Sequence, residues 1–207
     1  MKLKRIPDET VRRLPVYLRG LMFLQEEGLE RISSSRLGDF VGVHSWQIRK
    51  DFSYFGDFGV RGVGYEIKKL LSEIKGILKL DTIQKAALVG TGNLGTAILS
   101  YPGFEIYGFQ VDVAFDNNPK KIGKKIKKVE VLDISNLDIL KKMNIKLGII
   151  AVPRNAAQEI ADALVKAGVT GILNFSPCYI TVPKKVKVMT IDIAGYLARM
   201  PYYSQTG

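Results

Sequence analysis

The sequence predicts an α/β protein in two parts: a helical N-terminal part with a small β wing, then a doubly wound parallel sheet with helices on both faces. Three observations predict it. Before residue 80, apolar residues recur at steps of three and four, broken by one glycine-dense stretch. From residue 85, short apolar runs alternate with helical segments, the order that builds a parallel sheet. At the first junction between such a run and a helix stands Gly90-Thr91-Gly92-Asn93-Leu94-Gly95.

Composition narrows the class. A length of 207 residues suffices for one large domain or two small ones, each with a core. Hydrophobic residues make up 46% and charged residues 25%, which excludes a disordered chain. No apolar run approaches the ~20 residues of a membrane span. The opening MKLKRIPDET has no apolar stretch behind it and predicts no secretory signal. One cysteine, Cys178, and one histidine, His44, exclude an internal disulfide and leave little scope for a His/Cys zinc site or a Cys–His nucleophile. No metal is expected, and this cysteine usage fits a reducing cytoplasm. The net charge of +11 invites a nucleic-acid partner. It is spread evenly: residues 1–80 carry 15 basic and 10 acidic side chains, the rest 16 and 10. The densest run, Lys120, Lys121, Lys124, Lys125, Lys127 and Lys128, is expected to be a solvated face.

In the first part, Val11, Leu14, Leu18, Leu21 and Leu24 line one face of a first helix. Asp8 or Thr10 would cap it, Pro15 would be a kink or an early-turn residue, and Gly28 would end it. Ser33, Ser34 and Ser35 offer a cap for a short helix from Arg36 to Val41. Gly42, Val43 and His44 form a turn, and Ser45 caps a third helix from Trp46 to Tyr54. Two short helices joined by a glycine-containing turn outline a helix-turn-helix. Val60 and Val63 around Arg61-Gly62 then predict a β-hairpin with a basic tip, the winged variant. Ile67, Leu70, Leu71, Ile74 and Leu78 predict a connecting helix, with the boundary near Leu80 and Asp81.

A DNA-binding surface follows from this outline. Gln47, Arg49 and Lys50 on the recognition helix can reach base edges or phosphates. Arg61 at the wing tip suits a narrow minor groove. The hydroxyls of Ser34 and Ser35 suit phosphate, and the turn residues His44 and Ser45 join the same surface. Trp46 and Phe52 are expected in the core.

In the second part the strands are Ala86–Val89, a period-two run through Phe109, Val111, Val113 and Phe115, Leu147–Val152, Gly171–Phe175 and Val186–Ile191. The helices are Asn93–Ser100, Ala156–Ala167 and residues 193–200. This is the layout of a Rossmann-like domain. Gly90 permits a tight turn, Gly92 lets backbone approach a pyrophosphate, and Gly95 lets the helix pack on the sheet. Asp116, 21 residues after Gly95, can accept ribose hydroxyls and would repel a 2′-phosphate, which favours NADH and NAD⁺ over their phosphorylated forms.

Hydride-transfer enzymes acting on alcohols need an acid–base group near the nicotinamide. The second part contains no histidine, and Tyr65-x-x-x-Lys69 precedes the glycine loop and is coincidental. The dinucleotide is therefore expected to be a signal, and no catalysis is expected. The competing readings are a small NAD(P)H-dependent oxidoreductase and a CoA-binding protein, either with a basic dimerisation region.

Over nearly its whole length the chain resembles the Rex family of redox-sensing transcriptional repressors. The strings that carry the resemblance are TVRRLPVYLR, QIRKDFSYFGDFGVRGVGY, VGTGNLGTAILSYPGF, FDNNPKKIG, AVPRNAAQEIAD and GILNFSP. The resemblance implies a homodimer that binds an inverted repeat in double-stranded operator DNA and is released by NADH. It implies a winged helix-turn-helix domain over 1–80, a Rossmann-like domain over 81–191, and a C-terminal helix in 192–207 exchanged between subunits. It assigns Val152, Pro153, Arg154, Asn174 and Phe175 to the dinucleotide site. It assigns Arg19, Tyr101 and Asp192 to the switch. On that basis Asp192 would pair with Arg19 when DNA is bound and with Tyr101 when NADH is bound, Tyr101 reporting on the cofactor from the end of the helix after the phosphate loop.

Overall fold

Helix α1 (Asp8–Glu26) opens the computed structural model, which describes residues 6–60 and 62–204. Pro15 lies inside α1, not in its first turn. The buried face is Thr10, Leu14, Tyr17, Leu18, Leu21 and Leu24, whereas Val11 is exposed. Neither Asp8 nor Thr10 caps the helix: Pro7 holds that position, and the Thr10 hydroxyl is drawn to Asp51. Gly28, at φ 84°, closes the helix as its own N–H and that of Leu29 take the carbonyls of Gln25 and Leu24.

Strand β1 (Arg31–Ile32) precedes α2 (Ser34–Val41), and Ser33 caps α2 by accepting the Arg36 N–H at 3.1 Å. Gly42 ends α2 in the left-handed conformation. Helix α3 (Ser45–Phe52) starts earlier than the sequence suggests. His44 is its N-cap residue, without a side-chain bond, and Ser45 is already helical. Strand β2 (Tyr65–Glu66) pairs antiparallel with β1 and leads into α4 (Ile67–Leu78). The expected hairpin shrinks to one bridge between Val60 and Gly64, and Arg61 lies outside the described residues. The pairing of Ile32 with Tyr65 joins segments over thirty residues apart, and no local pattern announces it.

Phe52 is central to this core. Its ring meets those of Tyr17, Tyr65 and Phe58 edge-to-face at 5.4, 5.3 and 5.6 Å. Beside it Asp51 is fully buried. The Asp51 carboxylate accepts from Thr10 Oγ1 (2.9 Å), Arg13 Nε (2.6 Å) and Nη2 (2.8 Å), Tyr17 Oη (2.6 Å) and Gln47 Nε2 (2.8 Å). Burial alone would push its pKa up, but these donors outweigh it and hold the pKa at about 2. Burial and the same carboxylate push the Tyr17 hydroxyl upward, so it remains a donor.

The chain divides into two units, Met1–Thr82 and Ile83–Gly207. The second holds β3 (Gln84–Val89), α5 (Asn93–Leu99), α6 (Gly103–Ile106), β4 (Phe109–Asp116), β5 (Lys125–Ile126), β6 (Val129–Asp133), α7 (Ile139–Lys142), β7 (Leu147–Ile150), α8 (Ala157–Lys166), β8 (Gly171–Asn174) and β9 (Lys187–Thr190). The sheet order is β5-β6-β4-β3-β7-β8-β9, all parallel except the edge strand β5. Alternate residues of β3 enter opposite cores: Ala87 and Val89 join Phe115, Ile150 and Leu164, while Ala86 and Leu88 join Ala114, Val131 and Ile149. Burial on both faces makes these strands read as continuous apolar runs. The β5–β6 hairpin, which passes through the lysine run, escapes a sequence reading because its strands are short and polar. The single terminal helix expected over 193–200 is two short ones, α9 (Ile193–Leu197) and α10 (Met200–Ser204).

Asp51→Ala is expected to lower the unfolding free energy of the N-terminal unit by about 3 kcal/mol, because Arg13 and Tyr17 lose their partner. Because the folded pKa of Asp51 lies below its unfolded value of about 4, the stability it contributes is present above pH 4 and is lost as pH falls from about 4 to about 2. Denaturant melts of wild type and variant across that range check both.

Candidate functional site

Two sites emerge, one in each unit. In the first, α2, the turn and α3 form the helix-turn-helix. Gly38 lets them approach: a Cβ there would overlap the Val43 carbonyl oxygen. The buried residues of α3 are Ile48, Asp51 and Phe52. Arg49 and Lys50 are exposed, and Arg49 Nη1 donates to Ser34 Oγ at 2.9 Å, joining the recognition helix to the start of α2. A hollow of about 570 Å³ between α3 and the wing is lined by Ser33, Ser34, Arg49, Ser53, Gly62 and Gly64, among others. Ser35, His44 and Ser45 line a separate hollow at the turn.

Gln47 is half-buried and its Nε2 donates to Asp51, part of the internal network. One expectation about α3 needs correction. Trp46 is not in the core but 54% exposed, because α3 docks through Asp51 and Phe52 and turns position 46 outward.

In the second unit, a cleft of about 630 Å³ lies outside the carboxyl ends of β3, β4 and β7. The strand order reverses at β3, so this is the topological switch point where ligands bind in open parallel sheets. Gly90 turns the chain at φ 95°, with the Ala151 carbonyl packed where its Cβ would be. Gly92 faces open space. A Cβ on Gly95 would overlap the Gly90 carbonyl oxygen.

Asp116 organises the loop. Its Oδ2 accepts from Thr91 N (2.9 Å), Thr91 Oγ1 (2.5 Å) and Lys121 Nζ (3.1 Å), and its Oδ1 accepts from Asn118 N (2.9 Å). Burial raises its pKa, but the Thr91, Asn118 and Lys121 donors prevail and hold it at about 2. Lys121 also donates to the Thr91 carbonyl at 3.0 Å. It therefore leaves the solvated face expected for the lysine run and belongs to the cleft.

Gly90, Gly92, Asp116, Val152 and Pro153 line this cleft. Thr91 is buried behind it, and Asn93, Leu94, Gly95 and Arg154 are not among its lining residues. Asn174 and Phe175 are not among its lining residues. Asn174 is fully buried, its amide donating to the Ser176, Cys178 and Thr190 oxygens and accepting the Ser176 N–H. Ser176 Oγ in turn donates to the Val152 carbonyl at 2.6 Å, so Asn174 steadies the cleft wall from behind. Phe175 packs into the core on the other face. Asn117, Asn118, Ser135 and Glu159 line the cleft unannounced; the NNPKK string after the second strand was the available signal for the two asparagines.

Among the described residues, no helix is long and apolar enough to cross a membrane and no His/Cys/Asp/Glu group could hold a metal.

Residues 81–178 match the family model described as "CoA binding domain", and residues 5–53 match "Putative DNA-binding protein N-terminus". The chain is 48% identical to the redox-sensing transcriptional repressor Rex of Carboxydothermus hydrogenoformans, over 93% of each protein. It is 46% identical to that of Roseiflexus sp., over 98% of this chain and 92% of the relative. The chain belongs to the Rex family. A crystal structure of RSP with β-NAD⁺ and operator DNA has a TM-score of 0.90 to this fold at 38% identity, covering 97% of this chain and 93% of RSP. RSP with β-NADH has a TM-score of 0.89 at 36% identity, covering 98% and 96%. The N-terminal winged helix-turn-helix and the Rossmann-like sheet are thus the Rex architecture.

The three residues that the Rex resemblance marks as a switch sit apart along the chain. Arg19 is an exposed residue of α1 in the first unit. Asp192 caps α9, accepting the Gly195 N–H at 2.9 Å. Tyr101 follows α5 at the end away from the glycine loop, about 10 Å along the axis. It lines a different hollow with Phe104 and Lys128 and is not among the lining residues of its own chain's cleft.

Gly95→Ala is expected to destabilise the C-terminal unit by about 1–3 kcal/mol, because the new methyl meets backbone that cannot yield without moving the loop. Gly92→Ala, facing open space, should cost well under half of that. Denaturant unfolding of the two variants side by side checks the difference.

Proposed function

We propose that this Rex-family chain is a cytoplasmic, NADH-responsive transcriptional repressor without catalytic activity. It binds inverted-repeat operator DNA as a homodimer and leaves it when NADH rises relative to NAD⁺. The observation that carries this reading is the presence in one chain of a winged helix-turn-helix and a switch-point cleft built on Gly90, Gly92 and Asp116. A relative of the same architecture bound to both NAD⁺ and operator DNA supports it. Among the residues first singled out, Ser34, Ser35, His44, Ser45, Arg49, Lys50 and Arg61 would face DNA.

Asp116 favours NADH over NADPH. Its Oδ1 carries the Asn118 N–H and keeps a lone pair for a ribose hydroxyl, while a 2′-phosphate would meet its negative charge.

The dimer reading draws on the C-terminal segment. Ile193, Tyr196, Leu197, Met200, Tyr202 and Tyr203 are all exposed, an apolar face that an isolated subunit leaves in water. Its exchange with a second copy would cover that face and bring Asp192 to the partner. Tyr101, outside its own cleft and 60% exposed, would then be available to the partner's site.

Titrating the protein with a duplex it has itself selected from a random pool, at fixed salt and varied NADH/NAD⁺ ratio, tests the reading. Operator affinity should fall as NADH replaces NAD⁺, and NADPH should act only at far higher concentration. Operator affinity indifferent to NADH, or hydride turnover with a substrate, would overturn it.

The relay has its own check. Asp192→Ala should weaken operator binding in the absence of cofactor, and Tyr101→Phe should bind NADH yet release DNA less completely. Normal NADH-dependent release in both variants would remove these residues from the switch.

A further inference from the structure

The outward face of α3 carries an aromatic group that the DNA-reading residues do not account for. Trp46 occupies the second position of the helix and is 54% exposed. Lys50, one turn on, shares its face, whereas Ile48, Asp51 and Phe52 point into the core. Arg49, also exposed, donates to Ser34 Oγ. The exposed His44 ring lies nearly parallel to the indole, 6.2 Å between centroids and 15° between planes, a flat aromatic pair at the start of the helix.

A recognition helix presents its N-terminal residues to base edges in the major groove. That groove offers one apolar group, the thymine C5-methyl, among donors and acceptors. An exposed indole has no polar reason to be there except one N–H, and its large apolar surface in water is stabilised only by an apolar partner. The net charge of +11 and the neighbouring Lys50 supply the attraction that brings a polyanion onto this face. We propose that Trp46, backed by His44, is a specificity-determining residue that packs on a thymine methyl in each half-site. The proposal rests on the repressor reading.

The test pairs a protein change with a single-atom-group change in DNA. The probe is a duplex selected from a random pool by the full chain, with each thymine replaced in turn by deoxyuridine, which keeps pairing and removes only the methyl. For the wild type, one symmetry-related thymine position should weaken binding about fourfold per methyl removed. Trp46→Ala should bind the thymine and deoxyuridine duplexes equally, and Trp46→Phe should keep part of the discrimination. Trp46 is the chain's one tryptophan, so its emission reads this surface alone and should change on saturation with the duplex. Unchanged emission, or discrimination surviving in Trp46→Ala, overturns the proposal while leaving operator binding intact. Failure of the wild type to bind any selected duplex overturns the repressor reading and this inference together.

Discussion

The orientation of the recognition helix depends on one buried carboxylate. Asp51 projects from α3 into the space beside α1, where Thr10, Arg13 and Tyr17 of that helix converge on it and Gln47 of its own helix completes the set. A lone carboxylate in that position would be costly; five donor contacts make it a fixed point. Its geometry sets the rotation of α3. With Asp51 and Phe52 inward, Trp46, Arg49 and Lys50 must face solvent. The displayed surface is therefore the complement of the buried network, and a change in the network would re-aim the surface without touching it.

The same device recurs in the second unit. Asp116 is buried, ionised and surrounded by donors from Thr91, Asn118 and Lys121. It ties the end of β4 to the glycine loop after β3, two segments adjacent in the sheet and 25 residues apart in sequence. An acidic residue at this point is commonly read as a ligand contact alone. Here it also holds the loop in shape, so the cleft's architecture and its affinity for a ribose share one side chain.

Much of the fold was legible in order along the chain. The glycine loop, the period-two run into Asp116 and the serine cap each depend on neighbours within a few residues, and each stands where the pattern puts it. The side that α3 turns outward was not legible. An aromatic such as Trp46 is expected in the core; only the docking of α3 through Ile48, Asp51 and Phe52 decides which side faces out. Gln47 and Asn174 carry the chemistry of ligand contacts, and both also bond within the fold: Gln47 Nε2 to Asp51 one turn on, and the Asn174 amide to Ser176, Cys178 and Thr190.

The sequence by itself determined the element order, the two-part division of pattern, the positions of the turn glycines and the pair of signatures that join a DNA-reading motif to a dinucleotide loop. These are local, because φ preferences, capping and side-chain periodicity act over one or two turns of chain. Tertiary structure alone decided the partners of the buried carboxylates, the pairing of β1 with β2, the recruitment of Lys121 to the cleft and the exposure of Trp46. Those outcomes depend on which distant donor reaches a carboxylate first once the cores have closed. Burial makes an unpaired charge costly, and no spacing within the sequence records where its partner will be.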